Sequence, residues 1–236
     1  EFAVVITKTL RDEVQSKLAG SIPPRLDVAP MGVNLDVFKR MSAYKPYSGE
    51  GQVRLFSCGR LNPCKGFLVL IESVAILKKI GLPVSLKIAG EDDSGGTGFR
   101  CVVENAIRSY NLSDSVELLG ALPESGIVQN LSQSHIFILA SLEEPLGVVI
   151  MEAMAMEVPV IATDAGGVPE LIERDVDGIL IKPGDAEEIS NAVLKLISNS
   201  EIAIKLSRAS RSKIANGFHS ALSAEIIFRN ISRPLT

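Results

Sequence analysis

The sequence has few of the residues from which metal and redox sites are built. Its 236 residues include no tryptophan, three cysteines and two histidines, and the cysteines form no Cys-x-x-Cys pair. No zinc site is therefore expected. An odd and sparse set of cysteines is typical of a reducing compartment, where Cys58, inside an apolar run, is expected to be a small core residue. We interpret the chain as cytoplasmic.

An excess of basic residues and a long apolar run are also lacking. The formal net charge is -4, whereas binding along a nucleic-acid duplex requires a dense basic surface. No stretch of about 18 apolar residues occurs, and no basic segment precedes an apolar one at the N-terminus. The sequence predicts no nucleic-acid partner, no membrane span and no signal peptide. It leaves open peripheral contact with the inner face of a membrane.

Short apolar runs alternate with segments of helical period through most of the chain. The runs are rich in Val, Ile and Leu, which is typical of parallel strands buried on both faces. The predicted strands are 3–6, 53–57, 84–89, 116–119, 136–140, 158–162 and 178–181. The predicted helices are 67–80, ending before Gly81, and about 100–110, 125–133, 148–156 and 186–198. This alternation predicts an α/β fold with a doubly wound, Rossmann-like parallel sheet.

The two ends of the chain follow a different pattern. Residues 1–28 show a strand pattern, a helix ending near Leu18 and a Pro-Pro turn at 23–24, so we predict the last unit of a preceding domain and a linker. Residues 29–200 form the predicted α/β domain, and residues 201–236 are predicted to be consecutive helices that pack outside the sheet. Because the chain opens within a strand pattern and without methionine, we interpret it as a fragment of a longer protein.

The loop after the second predicted strand carries two cations in a glycine-flanked turn. Arg60 and Lys65 lie five residues apart between Gly59 and Gly66, just before a predicted helix. Ligands of open α/β sheets bind beyond the carboxyl ends of the strands. A guanidinium, an ammonium and helix-start amides can together hold a diphosphate there. On this segment alone, the alternative is a solvated loop with two surface cations.

The loop after the fifth predicted strand leads into a strongly apolar helix. The amides of Gly147, Val148 and Val149 are expected to be unpaired at the helix start, where hydrogen bonds and the helix dipole favour a phosphate. Glu144 precedes this helix and Glu152 lies in its second turn, eight residues later, so both carboxylates are expected to face one cleft. Sugar hydroxyls are suitable partners for the buried Glu152, although a nearby amide or basic side chain is the alternative.

Two further loops contain paired glycines. The loop with Gly166, Gly167 and Pro169 is predicted to be a tight architectural turn, with the proline at a first helical position. The segment 91–98 places three acidic residues beside glycines, a pattern that raises the question of metal ligation. Its glycines and serine instead predict a mobile, solvated loop.

In combination, these segments resemble the donor domain of the retaining group 1 (family 4) glycosyltransferases, which have the two-domain GT-B fold and carry two glutamates in the pattern E-x7-E. Here that pair is Glu144 and Glu152. The resemblance covers about residues 26–200. It rests also on the segments Gly59-Arg60-Leu61, Lys65-Gly66, Pro30-Met31-Gly32-Val33, Glu152-Ala153-Met154-Ala155 and Pro159-Val160. The chain is thus expected to be the C-terminal, donor-binding half of such an enzyme.

The resemblance implies retaining transfer of a hexosyl group from a UDP-, GDP- or ADP-linked sugar to a saccharide or lipid-linked acceptor, in polysaccharide or glycoconjugate biosynthesis. It implies that Arg60 and Lys65 hold the donor diphosphate and act in catalysis with Glu144, which contacts the donor sugar. It also implies that Glu152 binds the ribose. The other implied donor-binding residues are Pro145, Leu146, Gly147, Val148 and Val149.

The same resemblance implies neither a metal nor another cofactor, because cations and amides stabilise the departing diphosphate. Residues 1–28 would end the N-terminal acceptor domain, so this chain alone is expected to bind the donor without transferring the sugar.

Four positions depart from the family pattern. Glu157 stands where glycine is usual, Met31 where asparagine is common, and His135 and Ala140 where aspartate and proline are common. A left-handed backbone at Glu157 would cost about 1 kcal/mol.

Two other functions stay open at this point. A phosphorylase or a sugar-nucleotide epimerase would use a related scaffold, but a phosphorylase needs a cofactor-anchoring lysine that the sequence does not identify. The second alternative is a non-catalytic module that binds nucleotide sugars. The intact set of Arg60, Lys65, Glu144 and Glu152 argues against degeneration.

Overall fold

The computed structural model describes residues 2–18, 25–92, 96 and 98–232. The strands in this part of the chain are β1 (Phe2–Val5), β2 (Arg25–Val28), β3 (Val53–Cys58), β4 (Val84–Ala89), β5 (Val116–Gly120), β6 (Ile136–Leu139), β7 (Val160–Thr163) and β8 (Ile179–Ile181). The helices are α1 (Lys8–Lys17), α2 (Phe67–Lys79), α3 (Phe99–Ser109), α4 (Glu124–Gln133), α5 (Val148–Ala155), α6 (Val168–Leu171), α7 (Ala186–Ser198), α8 (Ser200–Gly217) and α9 (Ser220–Ser232). The predicted Pro-Pro turn at 23–24 lies outside the described residues.

Six strands form one parallel sheet in the order β5-β4-β3-β6-β7-β8. The predicted doubly wound parallel α/β fold is therefore confirmed. From β3, the chain first adds β4 and β5 on one side and then β6, β7 and β8 on the other. The switch point lies between β3 and β6, where an open α/β sheet leaves a crevice at its carboxyl edge.

The sheet is buried on both faces because successive side chains of each strand point into opposite cores. On β3, Leu55 joins the core formed with α2, α3 and α7, and Phe56 joins the core formed with α4, α5 and α8. Both side chains are almost fully buried, as are most residues of the neighbouring strands. This arrangement explains why the strands are continuous apolar runs.

Helix α2 shows how the sequence pattern determines an element. It begins after Gly66, which has a left-handed φ of 66°, and its buried side chains recur at helical spacing. It ends at Lys79, and Gly81 then adopts a φ of 83°, which favours glycine. The predicted helix and its terminating glycine are confirmed.

Three local predictions need correction. Strand β2 was not predicted, although it pairs in parallel with β1 from Arg25 to Val28. Strand β7 begins at Val160 rather than at residue 158, because the Val158 amide closes the end of α5 by donating to the Ala153 carbonyl at 3.0 Å. Helix α6 begins at Val168, so the proline that follows occupies its second position.

The C-terminal helices pack against the same body. Helix α8 contacts α5 and α7, and its Ile214 is fully buried in the core. The backbone between α8 and α9 is tied to Val33, whose amide donates to the Phe218 carbonyl at 2.9 Å and whose carbonyl accepts from Ser220 at 3.0 Å. The divisions at residues 28 and 200 stay predictions.

Among the described helices, none combines the length and the apolar character that crossing a bilayer requires.

Candidate functional site

The loop after β3 is fixed by backbone hydrogen bonds on both of its sides. The Leu61 amide donates to the Glu91 carbonyl, after β4, at 2.8 Å. On the other side, the Leu142 amide, after β6, donates to the Cys64 carbonyl at 2.7 Å. The two cations of this loop are therefore carried on a backbone whose position is set by the neighbouring loops at the carboxyl edge.

Two glycines make this close loop packing sterically feasible. A Cβ added to Gly66, which has a φ of 66°, would lie 1.8 Å from the Ala140 carbonyl oxygen. A Cβ on Gly90 would lie 1.9 Å from the Gly59 carbonyl oxygen. Both distances are far below van der Waals contact, so side chains at these positions would push the loops apart.

A cavity of about 500 Å³ opens at the carboxyl ends of β3, β4 and β5, and we call it the switch-point cavity. Its walls come from the loops after these strands, from the first turn of α4, from the first two turns of α5 and from Phe38. Arg60 lines it from the loop after β3, and Val149 and Glu152 line it from α5. Arg60 and Glu152, a predicted diphosphate contact and a predicted ribose contact, thus line the same cavity. The expectation that Glu144 faces the same cleft as Glu152 is corrected, because Glu144 lines a different cavity.

The start of α5 presents backbone amides without acceptors. Gly147 is the N-cap, with a φ of 86° and no side-chain cap. Its carbonyl accepts from Ile150 at 2.9 Å, but the amides of Gly147, Val148 and Val149 make no hydrogen bond within the described part of the chain. Unpaired amides at a helix start, together with the helix dipole, favour an anion at this position.

Glu152 lies in an environment that disfavours its charge. Burial, with a smaller contribution from the nearby carboxylate of Glu124, raises the pKa of the Glu152 carboxyl to about 7. Within the described residues, no cation or hydrogen-bond donor compensates the Glu152 carboxylate. A ligand that donates hydrogen bonds to it would therefore stabilise its ionised form.

Glu144 has the opposite surroundings. Its Oε2 accepts a hydrogen bond from Lys65 Nζ at 2.6 Å and one from Ser141 Oγ at 3.2 Å. The side chains of Lys65 and Glu144 are only 18% and 8% exposed. Thr163 donates in turn to the Ser141 carbonyl, so the loop after β7 supports the same arrangement.

Lys65 also lies near the switch-point cavity. Cys58 lines that cavity, and burial raises the pKa of its thiol to about 12, with Glu152 adding to the shift and Lys65 opposing it. A Cβ built on Gly59, another lining residue, would lie 3.7 Å from the Lys65 Cδ. Cys58 packs against the apolar core, as expected, but it is only half-buried and also lines the cavity.

The remaining predicted donor-binding residues differ in exposure. Leu146 is 2% exposed and its side chain packs in the apolar core. Val148 is half-buried at the helix start. Pro145 is exposed and lines a second cavity of about 350 Å³, between α1 and the loop before α5, which we call the α1 cavity. Glu144 lines this cavity as well.

The paired glycines after β7 hold the Glu144 loop in place. The Gly167 amide donates to the Glu144 carbonyl at 2.9 Å. A Cβ on Gly167 would lie 2.0 Å from the Pro145 carbonyl oxygen, and one on Gly166 would lie 2.2 Å from the Glu144 carbonyl oxygen. These contacts agree with the architectural role that the sequence predicts for this turn.

Glu170 makes a long-range contact that sequence reasoning missed. Its carboxylate accepts from the amides of Lys8 and Thr9 at 2.9 and 2.7 Å and from the Thr9 hydroxyl at 2.7 Å. Burial alone would raise the pKa of Glu170, but the hydrogen bonds from Thr9 and Lys8 outweigh it and lower the pKa. Glu170 thus caps the start of α1. No signal in the sequence connects residues 161 positions apart.

The acidic segment after β4 is engaged in structural contacts where it is described. Glu91 forms an ion pair with Arg100 at 2.7 Å, and the Asp92 carboxylate accepts from the Arg100 amide at 2.7 Å. The predicted mobile loop falls partly on residues outside the described ranges. Within those ranges, no group of three or more His, Cys, Asp or Glu side chains is arranged as a metal site.

Two departures from the family pattern have clear structural settings. His135 is 5% exposed and its Nδ1 accepts from the Arg54 amide at 3.0 Å. Burial, with a contribution from Arg54, lowers the pKa of His135 to about 4, so its ring is neutral near pH 7. Glu157 has a φ of 54°, so the left-handed backbone for which the sequence analysis gave a cost is present at this position.

Comparison with known sequences decides the family. The family described as Glycosyl transferases group 1 matches residues 44–213 of the chain. The chain belongs to this family. The amylovoran biosynthesis glycosyltransferase AmsK of Erwinia amylovora is 31% identical over 218 residues, which cover 87% of this chain and 51% of that protein. The chain spans about half the length of the curated relatives it matches.

Solved structures agree on the fold of this group 1 member. HepE of Anabaena, solved in complex with UDP and glucose, superposes with a TM-score of 0.84 and 23% identity, over 98% of this chain and 63% of that chain. The C-terminal domain of the group 1 glycosyl transferase LpcC of Francisella tularensis gives a TM-score of 0.70 and 24% identity, over 80% of this chain and 99% of that domain. The structural neighbours are GT-B glycosyltransferases.

Proposed function

We propose that the chain is the donor-binding domain of a retaining GT-B glycosyltransferase and that it binds a nucleotide diphosphate sugar in the switch-point cavity. The observation that carries the proposal is that Arg60 and Glu152 line one cavity at the sheet's switch point. Val149, one of the three residues with unpaired amides at the start of α5, also lines that cavity.

Each of the groups in or near the switch-point cavity has a chemical role in this proposal. Arg60 and Lys65 bind the diphosphate oxygens, with the amides of residues 147–149 as further donors. In the transition state these groups stabilise the negative charge that develops on the departing diphosphate. Glu152 accepts hydrogen bonds from the ribose hydroxyls, which supplies the partners that its carboxylate lacks within the described residues. Glu144, which lines the α1 cavity, contacts the donor sugar in this proposal.

The wider setting of the reaction is also a proposal. AmsK is named for amylovoran biosynthesis, and HepE was solved with UDP and glucose. By analogy, we propose a UDP-linked hexose as the first donor to test and a saccharide or lipid-linked acceptor in polysaccharide biosynthesis. We propose a cytoplasmic location, at or near the inner face of a membrane, and donor binding without transfer by this chain alone.

Calorimetry with a panel of UDP, GDP and ADP and their hexose conjugates tests the proposal. The wild-type chain should bind at least one pair, and Arg60→Ala should weaken binding by about 1.5–3 kcal/mol, the range for hydrogen bonds to charged groups. Arg108→Ala, which removes an exposed arginine on α3, is the matched control and should leave the affinity unchanged. Equal affinity of Arg60→Ala and wild type would remove Arg60 from the site.

A further inference from the structure

The ion pair between Lys65 and Glu144 changes what Lys65 offers to a diphosphate. Lys65 Nζ lies 2.6 Å from Glu144 Oε2, and both side chains are mostly shielded from water. An ammonium has three donors, of which Glu144 takes one, so Lys65 keeps donors for a phosphate. Its charge, however, is already balanced by a carboxylate that solvent screens little.

The two oxygens of Glu144 are not equivalent. Oε2 accepts from both Lys65 and Ser141, and Ser141 is fully buried. Within the described part of the chain, Oε1 makes no hydrogen bond, and Glu144 lines the α1 cavity. One side of the carboxylate is therefore committed to the cation, and the other side is available to a sugar.

We propose that Glu144, through Oε2, is a positioning residue that acts through Lys65 and limits how tightly the nucleoside diphosphate is held. This inference rests on the proposed function, because it requires that Lys65 binds the diphosphate. A glutamate that both orients the ammonium and cancels its charge lets Lys65 direct the phosphate without binding the product strongly. The departing diphosphate gains negative charge, and it must leave the site before the next donor enters.

The chain provides a matched control one residue away. Glu143 carries the same charge and also lines the α1 cavity, but it is exposed, and none of the ion pairs described for the chain includes it. Water screens an exposed charge far better than a buried one. A general effect of negative charge near the site would appear in both variants, whereas an effect through Lys65 would appear only at Glu144.

Calorimetry with UDP, which lacks the sugar, tests the inference directly. Glu144→Gln keeps an oxygen that can accept from Lys65 and removes the charge, so UDP should bind on the order of tenfold more tightly than to wild type. Glu143→Gln should change the affinity by less than about twofold. Unchanged or weaker UDP binding by Glu144→Gln, or equal tightening by Glu143→Gln, would overturn the inference.

A rescue experiment supplies a second readout. Lys65→Met should weaken UDP binding, because it removes the cation and leaves the Glu144 carboxylate facing the phosphates. Adding Glu144→Gln to Lys65→Met should restore at least several-fold of that loss, since the opposing charge disappears. Thermal unfolding of all variants establishes that they are folded. A folded double variant that binds UDP no better than Lys65→Met would contradict the inference.

The design separates this inference from the proposed function. If the wild-type chain binds none of the nucleotides in the panel, the proposed function fails, whatever the Glu144 variants show. If the wild type binds and Arg60→Ala weakens binding, the proposed function stands, whatever Glu144→Gln does. If GDP or ADP binds more tightly than UDP in that panel, the Glu144 and Lys65 variants are tested with that nucleotide instead of UDP. Comparing the free nucleotide with its hexose conjugate then isolates any sugar contact of Oε1.

Discussion

Glu144 and Glu152 stand on either side of the start of α5 and have opposite electrostatic surroundings. Glu144 lies in the loop, where a folded-back neighbouring loop brings Lys65 within 2.6 Å. Glu152 lies on the helix, and burial raises its pKa to about 7 because no cation reaches it among the described residues. The comparison shows that the protein compensates the charge of Glu144, whereas it provides no compensating group for Glu152 within the described residues.

Removing the cation from the compensated pair should give the largest effect on stability. Lys65→Met leaves the Glu144 carboxylate buried without its partner, which should lower the free energy of unfolding by about 3 kcal/mol. Urea denaturation at pH 7 measures this change. The control is Lys87→Met, since Lys87 and Glu117 form an exposed pair at 3.8 Å. That pair should contribute about 0–1 kcal/mol. Equal effects of the two variants would mean that Lys65 and Glu144 do not interact as described.

Removing the charge of Glu152, which no group compensates within the described residues, should raise the free energy of unfolding rather than lower it. The folded-state pKa of Glu152 is raised, so its contribution to stability is fully present below about pH 4.5 and is lost as the pH rises through about 7. Glu152→Gln lacks this loss and should be more stable than wild type by about 2–3 kcal/mol at pH 8. At pH 4 the two proteins should differ little. A difference that does not grow between pH 4 and pH 8 would refute the assigned environment.

A third glutamate near the same helix gives the smallest predicted effect. Glu157 has a φ of 54°, so Glu157→Gly should relieve backbone strain and raise the free energy of unfolding by about 0.5–1 kcal/mol. Asn111, with a φ of 55°, is the control because asparagine tolerates this conformation. Asn111→Gly should stabilise less. A loss of stability in Glu157→Gly would show that the Glu157 side chain contributes more than the strain costs.

Much of the fold followed from local pattern. Strand β4 and helix α7 have the predicted bounds, because continuous apolar runs and helical spacing are local signals. Strand β2 was missed because its four residues, Arg25 to Val28, contain two charged side chains and form a strand only by pairing with β1. Pairing across a helix is a tertiary event that a local pattern does not encode.

The sequence predicted which loops form the candidate site, but not how closely their side chains contact each other. The order of loops at the carboxyl edge follows from parallel topology, so Arg60 and Glu152 were expected near each other. The contact between Lys65 and Glu144, 79 residues apart, depends on how closely two loops pack. That packing depends on glycines whose neighbours are known only once the chain is folded, such as Gly66 against Ala140. The cap that Glu170 provides to α1 has the same origin.

If Glu152 faces the nucleotide in the switch-point cavity, as proposed, UDP binding should depend on pH through the ionisation of this carboxyl. If ribose hydroxyls donate to the carboxylate, binding requires its ionised form. Because the pKa in the free protein is about 7, the affinity of wild type should then fall about tenfold from pH 8 to pH 6 beyond any change in Glu152→Gln. The titration of the UDP phosphates is common to both proteins and cancels. Identical pH profiles for wild type and Glu152→Gln would show that the Glu152 carboxylate does not contact the nucleotide.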